Sequence, residues 1–430
     1  MERQRRFAHD VARARPLLCV RRWIILLLLA PGCSRVEAQP DGSVDVDGAT
    51  VDVSVDAEVD ALPSCSVTGV QPGAPWPLTG GDIGRTGRSA FKGPRTPKLR
   101  WSSPYGQYLQ NFGSSPAVAA DGTVYVTDLS GHLHAFAPDG TEKWSQPGLS
   151  AYAGPAIGCD GVVYAWGKQT TVLTPDRSVL VAIAPEGATL WRRERTTKFS
   201  YFDTSPLPAP GGRVVHGADG LYSFELDGGL DWQLGIIGTP RPSARSDGTV
   251  VTAVLFSDDA GDAGISATLA VGRDGSILWQ DATRVGWGLL SPDGTYYSAN
   301  QTLGLAAFSP SGQQTWQIDV PVIAPMALGP GDTLYAPTKA GLERVHLSTH
   351  THEIVVPGPF DELYPTIVVD AEGVGFLTYK ETVRAIRPDG SILFTFDLGA
   401  LGDKVAVTAP ALADGVLYVA GYEHLYAIGP

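Results

Sequence analysis

One unit returns about every 42 residues from residue 97 onward, and no other feature of this chain restricts its fold as much. The first complete copy reads Ser115-Pro-Ala-Val-Ala-Ala-Asp-Gly-Thr-Val-Tyr-Val-Thr127, then Gly131-His-Leu-His-Ala-Phe-Ala-Pro-Asp-Gly-Thr-Glu-Lys-Trp144. A second copy has Asp160-Gly161, Tyr164, Glu186-Gly187 and Trp191; a third has Asp219-Gly220, Asp227-Gly228 and Trp232. Asp247-Gly248, Asp274-Gly275 and Trp279 make the fourth, and Asp293-Gly294, Ser311-Gly312 and Trp316 the fifth. The sixth opens on Gly331-Asp332 and Tyr335 but carries Ser348-Thr-His-Thr-His-Glu-Ile354 where Asp-Gly-x-x-x-Trp belongs. The seventh recovers with Asp389-Gly390 and Phe394, and the eighth runs from Ala409 through Asp414-Gly415 and Tyr418 to Ile428 without a final turn or Trp.

The missing strand stands at the other end. Pro97-Lys-Leu-Arg-Trp101 has the form of a last strand with its Trp and no unit before it. Asp-Gly marks tight hairpins, where glycine takes positive φ and a short side chain precedes it. Alternation such as Val124-Tyr-Val126 marks strands, with one face turned into the packing between units. The periodic Trp101, Trp144, Trp191, Trp232, Trp279 and Trp316 suit the widening space between neighbouring sheets, with an indole N–H that can reach a carbonyl. Gly (51) and Pro (33) together approach a fifth of 430 residues while charge is 18%, a mix for short strands and turns rather than surface helices. The expected fold is all-β: an eight-bladed β-propeller of four-stranded antiparallel blades, closed by an N-terminal strand that completes the last blade. Closure leaves no free sheet edge for association.

The repeat resembles the PQQ-like (quinoprotein-like) β-propeller family over residues 97–430. Upstream, Trp76-Pro-Leu-Thr-Gly-Gly-Asp82-Ile-Gly-Arg-Thr-Gly87-Arg-Ser resembles the segment that often leads into such propellers. The resemblance implies a fold more firmly than a function. Quinone-dependent dehydrogenases of the family hold PQQ and calcium centrally, several beside a disulfide of adjacent cysteines. This chain has no Cys-Cys pair, and no calcium-holding set or catalytic aspartate aligns with it. No cofactor is therefore expected, with PQQ plus calcium as the alternative. A lipidated relative in the outer-membrane β-barrel assembly machinery keeps the repeat without the quinone; the acidic stalk described next departs from that pattern.

The N-terminus reads as an address. Seven arginines against Glu2 and Asp10 in residues 1–22 precede the apolar run Trp23–Ala30, too short to span a bilayer. Ala30-Pro31-Gly32-Cys33 resembles the bacterial lipobox, although leucine is usual at the position of Ala30. Residues 1–32 are thus expected to be a lipoprotein-type signal peptide and Cys33 the lipidated residue, ordinary cleavage being the alternative. In residues 39–63 seven acidic residues alternate with Val and Ala without a positive charge, so 33–63 reads as anchor and acidic disordered linker. Residues 64–96 form a lead-in and 97–430 the propeller. In an oxidising compartment Cys65 and Cys159 are free to pair, which would tie the stalk to an early blade.

The chemistry-bearing clusters are sparse. His346, His350, His352 and Glu353 lie together in the degenerate sixth unit, where a lost Asp-Gly turn accounts for them as well as a metal does. His132 and His134 share one strand face without an evident third ligand. Asp258-Asp-Ala-Gly-Asp262-Ala-Gly264 is an acidic insertion with the look of a solvent-facing turn or a calcium loop. No G-x-S-x-G, H-E-x-x-H or P-loop pattern occurs. The net charge of −13, without a basic stripe, argues against nucleic acid. The expected role is a non-catalytic binding or scaffold module, monomeric, lipid-anchored in the bacterial cell envelope at the outer membrane, touching the membrane only through its anchor. Its partner would be an envelope protein, a glycan or a small ligand. A PQQ-dependent oxidoreductase and a purely structural surface protein are the alternatives.

Overall fold

The computed structural model describes residues 68–105, 115–128, 130–147, 149, 153–171, 174–196, 205–217, 220–235, 241–255, 266–282, 286–360, 365–403 and 408–430. All belong to the unit Thr50–Pro430. Within them, eight separate four-stranded antiparallel sheets form the blades of a β-propeller. Blades 1 to 7 span residues 117–147, 156–196, 207–234, 243–281, 287–318, 327–357 and 366–397, each built from four consecutive strands. Blade 8 takes three strands from 411–429 and its outermost strand, β1 (Lys98–Pro104), from the start of the ring. Lys98 pairs with Gly429, Ser102 with Tyr426 and Pro104 with His424.

The hairpin chemistry operates as local rules dictate, with one shift of position. In the Asp-Gly turns glycine is left-handed, as at Gly122 (φ 82°), and the aspartate carboxylate accepts the backbone N–H two residues on. The third blade departs from the sequence reading. Its first hairpin turns at Pro210-Gly211-Gly212, between Leu207–Ala209 and Arg213–Gly217, and Gly220 stands instead before the third strand, Leu221–Glu225. Two glycines at φ 95° and 74° supply there what Asp-Gly supplies elsewhere.

Strand alternation buries both faces, not one. Val124 and Val126 pack in a cluster with blades 7 and 8, whereas Tyr125, between them, packs with Ile157 and Val163 of blade 2. A blade has neighbours on both sides, so alternate side chains enter different interblade cores.

The periodic tryptophans clasp each blade to the next. The indole N–H groups of Trp101, Trp144, Trp191, Trp232 and Trp279 donate to the carbonyls of Pro138, Pro185, Leu226, Arg273 and Pro310, at 2.9, 2.9, 2.7, 3.0 and 3.1 Å. Each acceptor opens the outer hairpin of the following blade. The glycine of that hairpin lies against the same ring: a Cβ on Gly140 would sit 2.7 Å from Trp101, and one on Gly312 2.5 Å from Trp279. Trp and Gly therefore recur together because one covers the other. A small residue faces the Trp on the adjoining strand, Ala135 opposite Trp144 and Ala182 opposite Trp191, beside a recurrent bulge.

At the degenerate sixth blade the clasp is rebuilt. Trp316 packs against the His350 ring, tilted by 36° with centroids 4.8 Å apart, and His350 takes the left-handed conformation (φ 58°) in place of glycine. Onward to blade 7, the Arg344 guanidinium donates to the Pro388 carbonyl where an indole would have done so.

The lead-in laces the inner rim in ring order. Trp76, Pro77, Ile83, Gly84, Thr86 and Gly87 each offer a carbonyl to one innermost strand, accepting the N–H of Val118, Ile157, Ala244, Leu290, Leu328 and Val369 in blades 1, 2, 4, 5, 6 and 7. Blade 3 is reached through Thr79 Oγ1, 3.1 Å from Ser205 Oγ, and blade 8 through Lys92, whose carbonyl accepts the Gly415 N–H. Innermost strands have unpaired edges, and this segment satisfies them. Its keystone is Arg85, 7% exposed, whose Nε, Nη1 and Nη2 donate to the carbonyls of Pro242, Thr79 and Ser205 at 2.8, 2.9 and 2.8 Å.

Two outcomes are expected. Trp191→Ala should lower stability by about 3 kcal/mol, and Trp191→Phe, which keeps a ring but loses the N–H, by about 1 kcal/mol, measured by urea unfolding. Arg85→Ala strips charge-assisted bonds from three buried carbonyls and should lower the unfolding temperature, with limited proteolysis cutting first within 68–96. Arg85→Lys should recover only part of the loss, since an ammonium cannot fork to three acceptors in a plane.

Candidate functional site

Two places bring polar chemistry together, and the lace decides the first. Between it and the first hairpins of blades 4 and 5 lies a cavity of about 500 Å³, bordered by Asp82, Thr86, Arg245, Asp247 and Asp293. Asp82 is held by the backbone N–H of Thr86 at 3.0 Å and by its hydroxyl, and Arg245 Nη2 donates to the Gly294 carbonyl at 3.2 Å. The cavity offers carboxylates and one guanidinium. Two hydroxyls on its border, Thr86 and Ser291, donate to the carboxylates of Asp82 and Asp293, so the groups facing the cavity are suited to polar recognition.

The second place is on blade 1. Asp128 directly follows the second strand, Val124–Thr127, and His132 and His134 lie on the third, His132–Phe136. The hairpin joins them: the Asp128 N–H donates to the His132 carbonyl at 2.9 Å, and Asp128 Oδ1 accepts the His132 N–H at 2.6 Å. Asp128 Oδ2 is 3.6 Å from His132 Nδ1 and 3.5 Å from His134 Nε2. His134 Nδ1 is 2.8 Å from Glu142 Oε1, and the His134 ring stacks on Phe136. Burial alone would lower the His134 pKa, but the carboxylates of Asp128 and Glu142 outweigh it and raise it. Burial likewise works against the Asp128 carboxylate, yet His134 and the His132 N–H hold its pKa below the usual range.

The remaining sequence candidates are spread out. His346 and His352 stand on adjacent strands, His346 opposite Thr351 and His352 opposite Val345. His352 Nδ1 is 2.6 Å from Glu343 Oε2, while Glu353 pairs with Arg344 at 2.5 Å and lies 3.6 Å from His346 Nε2. His350 turns away onto Trp316, so no three-ligand set forms in this blade among the described residues. Trp101, Trp144, Trp191, Trp232, Trp279 and Trp316 face the neighbouring blades. Cys33, Cys65, the stalk 39–63 and the acidic insertion 258–264 lie outside the described residues. Cys159 is disulfide-bonded, just beyond the innermost strand of blade 2, with its N–H donating to the Gly69 carbonyl at 3.0 Å.

Three residues central to these places escaped the sequence reading. Arg85 and Glu142 carry no local signal. Asp128 stands four residues before His132, a spacing that a tight hairpin between two strands closes, and that spacing was legible.

Comparison with known proteins bears on the whole. Residues 89–267 match a family model described as outer membrane protein assembly factor BamB, from the end of the lead-in into blade 4. Among solved structures the chain is similar to BamB from Moraxella catarrhalis, at 15% identity and a TM-score of 0.57, over 78% of this chain and 98% of that one. It is also matched to a protein of unknown function from Bacteroides caccae, at 15% identity and a TM-score of 0.32, over 51% of this chain and 84% of that one. No curated protein matches it. Eight four-stranded blades and the Trp–Gly clasp lead to one conclusion: the described residues form an eight-bladed β-propeller, and within it residues 89–267 resemble the PQQ-like repeat of that assembly factor.

Proposed function

We propose that this protein is a lipid-anchored scaffold of the bacterial outer membrane that binds a partner protein through its propeller and catalyses nothing. The match of residues 89–267 to an outer membrane protein assembly factor carries this reading. A closed ring with a laced inner rim is rigid, which lowers the entropic cost of presenting a binding surface. The signal segment 1–32, lipidation at Cys33 and the acidic stretch to residue 63 would hold that ring at the membrane on a tether.

The lace favours this reading over a quinone-dependent oxidoreductase. Arg85, beside the inner strands of blades 3 and 4, has all three guanidinium nitrogens committed to backbone carbonyls and so offers no open fork to the carboxylates of a quinone cofactor. The blade 1 cluster is also wrong for calcium. Among the described residues the one three-ligand cluster, Asp128 with His132 and His134, offers two nitrogens and lies on blade 1 rather than on the lace.

Crosslinking in native envelopes followed by purification of the full chain is expected to recover components of the outer-membrane β-barrel assembly machinery, and Cys33→Ala to release the protein from the membrane fraction. Turnover of an alcohol or sugar with a dye acceptor, after loading with PQQ and calcium, would overturn the proposal. We further propose that Cys159 pairs with Cys65. Peptide mapping without reductant should recover the two linked, and reduction should lower stability by about 2–4 kcal/mol.

A further inference from the structure

We propose that Asp128, His132 and His134 form a binding site for one divalent transition-metal ion of the zinc class. The three ligand atoms would be Asp128 Oδ2, His132 Nδ1 and His134 Nε2, which lie within 4.8 Å of one another. Around a tetrahedral ion with bonds of about 2.1 Å, neighbouring ligand atoms are separated by about 3.4 Å. The Oδ2 separations of 3.6 and 3.5 Å match that spacing and exceed a normal hydrogen bond.

The surroundings are those of a supported metal centre. Asp128 Oδ1 is engaged by the His132 N–H, which fixes the carboxylate plane and leaves Oδ2 for the ion. That carboxylate is 2% exposed, so a cation in contact would replace the water it has lost. Glu142 holds His134 Nδ1 at 2.8 Å, the outer carboxylate that orients a metal-bound imidazole and leaves Nε2 to the ion. Phe136 stacked on the His134 ring and Tyr105 edge-on to it at 6.1 Å fix the ring's plane. His132, 41% exposed, gives the ion a way in from solvent and leaves a fourth position for water or an incoming donor. Two imidazoles and one carboxylate suit zinc, copper or nickel and not magnesium or calcium. The competing account is an ion pair between a protonated imidazole and Asp128, which needs no metal.

The test uses the full chain, stripped with a chelator and titrated with Zn²⁺ against a chromophoric competitor, then with Co²⁺ followed by visible absorption. One equivalent of Zn²⁺ per chain is expected, with Co²⁺ bands of a four-coordinate ion. His132→Ala should weaken binding at least tenfold while leaving the metal-free unfolding midpoint unchanged, because the side chain is partly exposed. Glu142→Gln should weaken it by about ten- to a hundredfold, and His352→Ala should change nothing. Absence of stoichiometric binding overturns the proposal, and so does binding that survives His132→Ala or falls equally in His352→Ala.

Discussion

Everything in this molecule depends on closing a ring of sheets without leaving an edge. A four-stranded sheet exposes backbone donors and acceptors along two sides, and eight of them in a row would invite association. The chain closes the last blade by pairing Lys98–Pro104 with His424–Gly429, so the first and last strands among the described residues share one sheet. It then covers the inner edges by threading Trp76 to Lys92 past each blade in turn. Outer packing, inner rim and closure are thus one arrangement, and a single stretch of chain before blade 1 serves both rim and closure.

Between blades the decisive contact is the tryptophan laid over the next hairpin. It joins a directional bond from the indole N–H to apolar coverage of a glycine that no larger residue could replace without a clash. Blade 6 shows how much of this is negotiable. His350 accepts the left-handed turn and Arg344 supplies the donor, so geometry is retained when the residues are not. A guanidinium and an imidazole can take over because the contact asks for a flat group and an N–H in a fixed place, not for indole as such.

Much of the fold was legible and less of the chemistry. Asp121-Gly122, Asp139-Gly140 and Trp144 mark blade 1 in the sequence because hairpin turns are chosen by neighbouring residues. The third blade was misplaced by one hairpin since Pro210-Gly211-Gly212 makes the same turn with different residues. At the blade 1 cluster, the two histidines could be placed on one strand face, but their carboxylates could not. Asp128 arrives across a hairpin, and Glu142 reaches His134 from the following strand past a bulge at Ala135/Phe136. The residues of the sixth blade made the opposite case: close in sequence, they are separated by strand geometry, with His346 and His352 on different strands and His350 on Trp316.

The sequence by itself determined the number of blades, their hairpins apart from the first of blade 3, and the borrowing of the last strand, because those follow from local turn chemistry and a counted repeat. Only the tertiary structure decided that the lead-in laces the inner rim, that Arg85 locks it, and that Asp128 and Glu142 gather at His134. Hairpins are set by residues a few positions apart. The rim contacts join residues up to 323 positions apart, Lys92 to Gly415, and exist only when eight curved sheets bring their inner edges around one axis.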